Sequence, residues 1–163
     1  MMSLQSGTAL WFLILTAPVC LYTVWTDLAF MKIRNTAVLA LVVIYAVVGL
    51  MTLPLVDWGW GWVSLIVVLA LGFIANSLIG FGAGDAKFAA AMAPFVAYPD
   101  IRNVLYLLAA FTVFGLITHR IARRIPAVVN ATPHWESWGR KDFPLGIALA
   151  PTLIAYLALA AFR

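Results

Sequence analysis

Apolar residues run in long blocks along this chain rather than alternating with polar ones. Six blocks stand out, at about 8–24, 36–55, 59–79, 88–98, 101–118 and 144–162. Unbroken apolarity of this length suits a helix that is hydrophobic on every side, as a membrane span is. The breaks between blocks contain nearly all the charge. The pattern therefore predicts an all-α, polytopic membrane protein, a compact bundle of six transmembrane helices. A span needs about 20 residues, so six spans take up most of the 163 residues and predict a single transmembrane domain over 1–163. The fourth block is the weakest, being short and carrying Pro94.

Composition supports this. Hydrophobic residues make up 65% of the chain and charged residues 10%, against about 25% charged in an ordinary soluble domain. Mean hydropathy is +1.04. A water-soluble globule, a disordered chain and a fibre are all excluded. The single Cys20 excludes a disulfide within the chain and any cysteine-rich metal module.

The formal charge of +4 would suggest a nucleic-acid partner in a soluble protein. Here the positions of the charges matter more, and no nucleic acid is expected. With both termini outside, the inner breaks hold Lys32, Arg34, Lys87, Arg120, Arg123, Arg124, Arg140 and Lys141, and the outer ones keep Arg102 and Arg163. That bias orients the bundle by the positive-inside rule and makes 119–143 a cytoplasmic loop. Its arginines, with Trp135 and Trp138, suit a segment lying on an anionic leaflet. His119 and His134 read as solvated loop side chains, and no metal site is expected. Trp58, Trp60 and Trp62 read as an interfacial aromatic belt. The first block has no basic residue before Lys32 and no small-x-small cleavage site, so it is expected to be a retained helix rather than a signal peptide.

Two acids stand at block edges, where ionisable groups call for a functional explanation. Asp27 closes the first helix and Asp85 opens the fourth, in Gly82-Ala83-Gly84-Asp85-Ala86-Lys87. The topology places both at one depth, at the cytoplasmic end. Like charges a few ångström apart cannot both ionise, so one carboxyl keeps its proton while the other stays a base. Such a pair can take a proton from water and donate one to a peptide carbonyl without metal or cofactor. Asp27 and Asp85 are the candidate catalytic residues. The helix dipole favours Asp85 as the ionised member and Asp27 as the proton carrier, by about 0.3–1 kcal/mol. Gly82 and Gly84 let the backbone leave helical geometry near an extended substrate, and with Lys87 they are the candidate substrate-binding residues. A proton-coupled transporter component, relaying protons through the two acids, is the rival reading. The chain contains no Gly-x-Ser-x-Gly elbow and no His-Glu-x-x-His motif.

Gly82-Ala83-Gly84-Asp85 resembles the GxGD signature of type IV prepilin peptidases, a family of membrane aspartic proteases. Asp27 followed by Lys32-Ile33-Arg34-Asn35 is similar to the family's first aspartate and its short basic segment ending in Asn, although Arg34 stands where Pro is frequent. Phe143-Pro144-Leu145-Gly146 resembles the Pro-aromatic-Gly start of the family's last helix. The resemblance implies an aspartic endopeptidase that removes prepilin leaders on the cytoplasmic side of a bacterial inner membrane. With Asp27 so early and Cys20 alone, it points to the short peptidase-only form of Flp/tight-adherence pili, without methyltransferase activity. It also implies a prepilin or pseudopilin as substrate partner and the pilus secretion machinery as a neighbour. A non-catalytic pilus-assembly subunit is the alternative within this setting.

Overall fold

The computed structural model describes residues 2–163 and is all-helical, with no strand among them. Helix α1 spans Ser6–Phe30, α2 Asn35–Thr52, α3 Leu55–Ile79, α4 Ala83–Met92, α5 Ile101–Ala122, α6 Pro126–Ala131 and α7 Gly146–Ala161. α1, α2, α3 and Tyr98–Ala122 are long and apolar enough to cross a membrane, and Gly146–Ala161 is a shorter apolar helix. Their outward faces carry aliphatic and aromatic side chains such as Ile66, Leu71, Phe73 and Phe114, all exposed. Such a surface is stable only against lipid or other apolar material.

α1 lies at the centre and packs chiefly on α7, while α3 packs on α4 and α5 on α7. The α1 face turned inward is built from small and hydroxylated residues, with Thr8, Ala9, Thr16, Cys20, Thr23 and Ala29 all buried. α7 answers with Gly146, Ala148, Ala150 and Ala160. Small side chains let two helices approach closely, which is how helices associate in a solvent as apolar as themselves. Thr23 and Thr26 turn their hydroxyls back onto the carbonyls of Val19 and Thr23, at 2.9 and 3.2 Å, so these two oxygens are satisfied within the helix. Phe12, Tyr45 and Phe95 form an aromatic cluster beside this seam, Phe12 meeting Phe95 edge-on at 4.8 Å.

α2 is interrupted by a π-helical turn at Tyr45–Gly49. The wider turn directs Tyr45 at α3, where its hydroxyl donates to the Trp58 carbonyl at 2.9 Å. Gly61 is bare of side chain at the point where the Tyr45 hydroxyl lies. The aromatic belt expected at Trp58, Trp60 and Trp62 is divided by this contact. Trp60 faces outward, 65% exposed. Trp58 and Trp62, one turn apart, point inward and pack edge-on with each other, and Trp62 also meets Tyr45 edge-on.

The short fourth block runs the length of the bundle. Asp85 near its start shares a cavity with Asp27 in the last turn of α1. Asp100 at its far end accepts hydrogen bonds from the amide and hydroxyl of Ser3, ahead of the first turn of α1, at 2.7 and 3.1 Å. α1 measures about 37 Å over its 25 residues. The 3₁₀ turns Ala93–Phe95 and Tyr98–Asp100, with extended Val96 and Ala97 between them, rise more per residue than an α-helix and carry the chain that far.

The return segment also departs from expectation. α5 continues through Ala122, so His119 is helical and buried instead of lying in a solvated loop. Its ring stacks on Trp138 at 5.2 Å, which brings 132–143 back over the helix end. His134 is exposed, as expected.

Candidate active site

The two acids and the turns around them line a cavity of about 590 Å³, walled by three parts of the chain. The end of α1 and the turn after it supply Asp27, Met31, Lys32 and Ile33. The loop before α4 and its first turn supply Gly80 to Asp85. Arg140 and Asp142–Leu145 close the third side. The structure thus brings together the candidate residues Asp27, Asp85, Gly82 and Gly84. Lys87 lies outside the lining: it is exposed, and its ammonium donates to Asn35 Oδ1 at 3.4 Å.

Local backbone chemistry sets each wall. α1 is stopped by Met31 in the left-handed region, φ 50°, with its amide donating to the Asp27 carbonyl at 2.9 Å. A non-glycine residue rarely adopts this conformation, so the turn behind Asp27 is strained. α3 is stopped by Gly80 at φ 70°, where glycine carries no such cost. Asn76 Nδ2 donates to the Phe81 carbonyl and ties the loop to the end of α3.

Gly82 is the cap of α4, and its φ of −57° and ψ of 123° are open to any residue. Conformational freedom is therefore not why glycine is needed there. Asp85, three residues on, folds its carboxylate back over the Gly82 Cα, so that a Cβ at this position would strike Asp85 Oδ2. Gly84 instead faces the turn after α1, where an added Cβ would stand 3.4 Å from Ile33.

Asp27 is 5% exposed and Asp85 half-buried. Asp27 Oδ2 accepts a hydrogen bond of 2.7 Å from the Gly146 amide at the start of α7. Asp85 lies outside the four long apolar helices. Burial, and then the charge of Asp27 beside it, push its carboxyl up to about 7. Both effects act against the helix dipole, which favours an ionised Asp85 by only about 0.3–1 kcal/mol. Two carboxyls so placed can share a single proton, next to a space large enough for an extended backbone.

Two features of this chemistry escaped the reading of the sequence. Gly146 acts through its backbone, and its only sign was its place in Phe143-Pro144-Leu145-Gly146. Asp100, 1% exposed, is a third buried acid, but it is occupied by Ser3 and by the Tyr156 hydroxyl, which donates to it at 3.0 Å. It lies at the opposite end of α1 from Asp27.

The family model of the type IV leader peptidase family matches residues 14–119, more than half of the chain and a stretch that includes both Asp27 and Asp85. No curated protein and no solved structure matches the chain.

Proposed function

The chain belongs to the type IV leader peptidase family, and we propose that it is an aspartic endopeptidase that cleaves prepilin leaders with Asp27 and Asp85. The observation that carries this reading is the convergence of the two acids, far apart in sequence, on one cavity at one end of the bundle. A relay across the bilayer would need acids along its path. The remaining buried acid, Asp100, is instead bonded to Ser3 and Tyr156.

In the proposed reaction Asp27 is the base and Asp85 the acid. The Gly146 amide holds Asp27 Oδ2, which leaves Oδ1 to accept a proton from water. The water oxygen attacks the peptide carbonyl carbon while Asp85 donates its proton to the carbonyl oxygen, giving a neutral tetrahedral diol. Asp27 then passes its new proton to the amide nitrogen as the C–N bond breaks, and Asp85 recovers a proton from one diol hydroxyl. Both acids return to their starting states. As in any coupled pair, the ionisations belong to the two groups jointly.

The substrate is a prepilin of the Flp type, cut on the cytoplasmic face of the inner membrane. Support for that face comes from the basic residues Lys32, Lys87 and Arg140 at the acid-bearing end of the chain. Co-expression with an Flp-type prepilin, followed by gel analysis of leader removal, tests the reading. Cleavage by the native chain that is lost in both Asp27→Asn and Asp85→Asn is the expected result. Undiminished cleavage by either variant rejects the mechanism.

A further inference from the structure

A strongly charged surface, bordering the acid cavity at Arg140, is formed by the segment that follows α5. Arg120 lies in the last turn of that helix, and Arg123 and Arg124 come just past it. Two of the three are anchored to the returning chain: Arg120 Nη2 donates to the Lys141 carbonyl at 2.9 Å, and Arg123 Nη1 to the Arg140 carbonyl at 3.0 Å. These bonds bring Arg140 and Lys141 back beside the arginines of the helix end. Five cations are thus held on one surface, where they repel each other unless an anion lies among them.

The acids of the segment serve only one of the five. Glu136 and Asp142 both approach Arg140, at 3.8 and 3.9 Å. Arg124 and Lys141 are exposed, and neither forms an ion pair among the described residues. Apolar side chains are interleaved with the cations: Ile121, Ile125 and Val128 are 55%, 42% and 37% exposed. The whole surface sits at the end of α5, one of the helices long and apolar enough to cross a membrane. In a bilayer crossed by α5, that end lies at the headgroup layer.

We infer that residues 120–141 form a docking surface for anionic phospholipid headgroups. Arg124 and Lys141 meet the phosphates, and Ile125 and Val128 enter the boundary of the acyl chains. Aliphatic residues alternating with unpaired cations, at the mouth of a spanning helix, match a lipid surface better than an acidic protein segment, which would leave the aliphatic residues uncovered.

The test uses the full chain in neutral-detergent micelles and needs no peptide substrate. Thermal unfolding is followed while dioleoylphosphatidylglycerol or dioleoylphosphatidylcholine is added. The anionic lipid is expected to raise Tm by several degrees and the zwitterionic lipid to leave it unchanged, since a ligand that binds only the folded state stabilises it. Salt at about 0.5 M should remove most of the shift. The double variant Arg124→Gln/Lys141→Gln should melt like the native chain without lipid and lose at least half of the lipid-dependent shift. Equal shifts from the two lipids, or a full shift in the double variant, would overturn the inference. So would an equal shift from poly-glutamate, which would make this a protein-binding surface. Leader cleavage is not measured here, so failure of this test leaves the peptidase reading standing.

Discussion

The amide of Gly146 donates to Oδ2 of Asp27 at 2.7 Å, a contact between residues 119 apart in the chain. It couples the first turn of α7 to the last turn of α1 and orients a carboxylate through the backbone. The same closeness leaves no room for a side chain: a Cβ on Gly146 would stand 2.8 Å from Asp27 Oδ2 and 3.0 Å from Asp27 Cβ. The second of these atoms cannot swing away. Gly146→Ala is therefore expected to lower both cleavage and stability, the latter by about 1–3 kcal/mol as overpacking does. Parallel leader-removal assays and thermal melts check it, and an unchanged melt would show that the two helices can separate freely.

Gly82→Ala should behave differently. Its Cβ would meet only the far end of the Asp85 side chain, which can rotate away at little cost. The φ and ψ of Gly82 suit alanine, so the fold loses nothing there. Cleavage is expected to fall at least tenfold while Tm stays within about a degree of the native value. A stable variant of full activity would mean that the observed carboxylate position is not the working one.

Replacing the acids themselves tests the chemistry. Asp27→Asn keeps an oxygen that can accept from the Gly146 amide but cannot take a proton from water. Asp85→Asn relieves the repulsion within the pair and cannot return a proton to the carbonyl oxygen. Each should reduce the cleavage rate by about 10²–10⁴-fold, the usual weight of a positioned acid or base. Correct folding of both, seen in size-exclusion profiles and melts, separates lost chemistry from lost structure.

The acids were legible in the sequence because an apolar chain leaves few places for charge, and Asp27 and Asp85 stood at block edges that the topology placed together. Helix existence was legible for the same reason. The details that failed share one cause: contacts between distant segments. Trp58 and Trp62 leave the expected surface belt because buried Tyr45, directed at α3 by the π-helical turn, meets them. Their spacing of four was the available signal, since it puts both on one helix face apart from Trp60. The apolar block ends at 118, which points His119 to a loop, yet α5 continues and Trp138 covers the ring. Asp100, in Tyr98-Pro99-Asp100, has no sequence signal of burial, and only its contacts with Ser3 and Tyr156 reveal it as buried.

Placement of Asp85 depends on the seam between α3 and α4. Gly72 faces Ala86, the residue after Asp85, so closely that an added Cβ would lie 2.7 Å from Ala86 Cβ and 3.2 Å from its Cα. Backbone stands behind this contact, so α4 itself would have to move. Gly72→Leu is expected to shift the Asp85 end of the helix and abolish most cleavage, with a stability loss of about 1–3 kcal/mol. Rescue by Ala86→Gly in the same chain would identify the close approach as the cause. Its failure to restore any activity would point to a different role for Gly72.

The state of Asp85 sets the dependence on pH. Burial and the charge of Asp27 raise its carboxyl from the ordinary 3.8 to about 7. Between these values the folded chain holds a proton that the unfolded chain releases, so the folded state binds more protons there. Stability from this group is present in full below about pH 3.8 and is lost as pH rises through about 7. The native chain in detergent should therefore melt lower at pH 8 than at pH 5, and Asp85→Asn should remove part of that difference. Cleavage should follow the same proton: kcat/KM falls as pH rises past about 7, where Asp85 can no longer donate. A rate that kept rising through pH 9 would assign the donated proton to some other group and remove Asp85 from the role of acid.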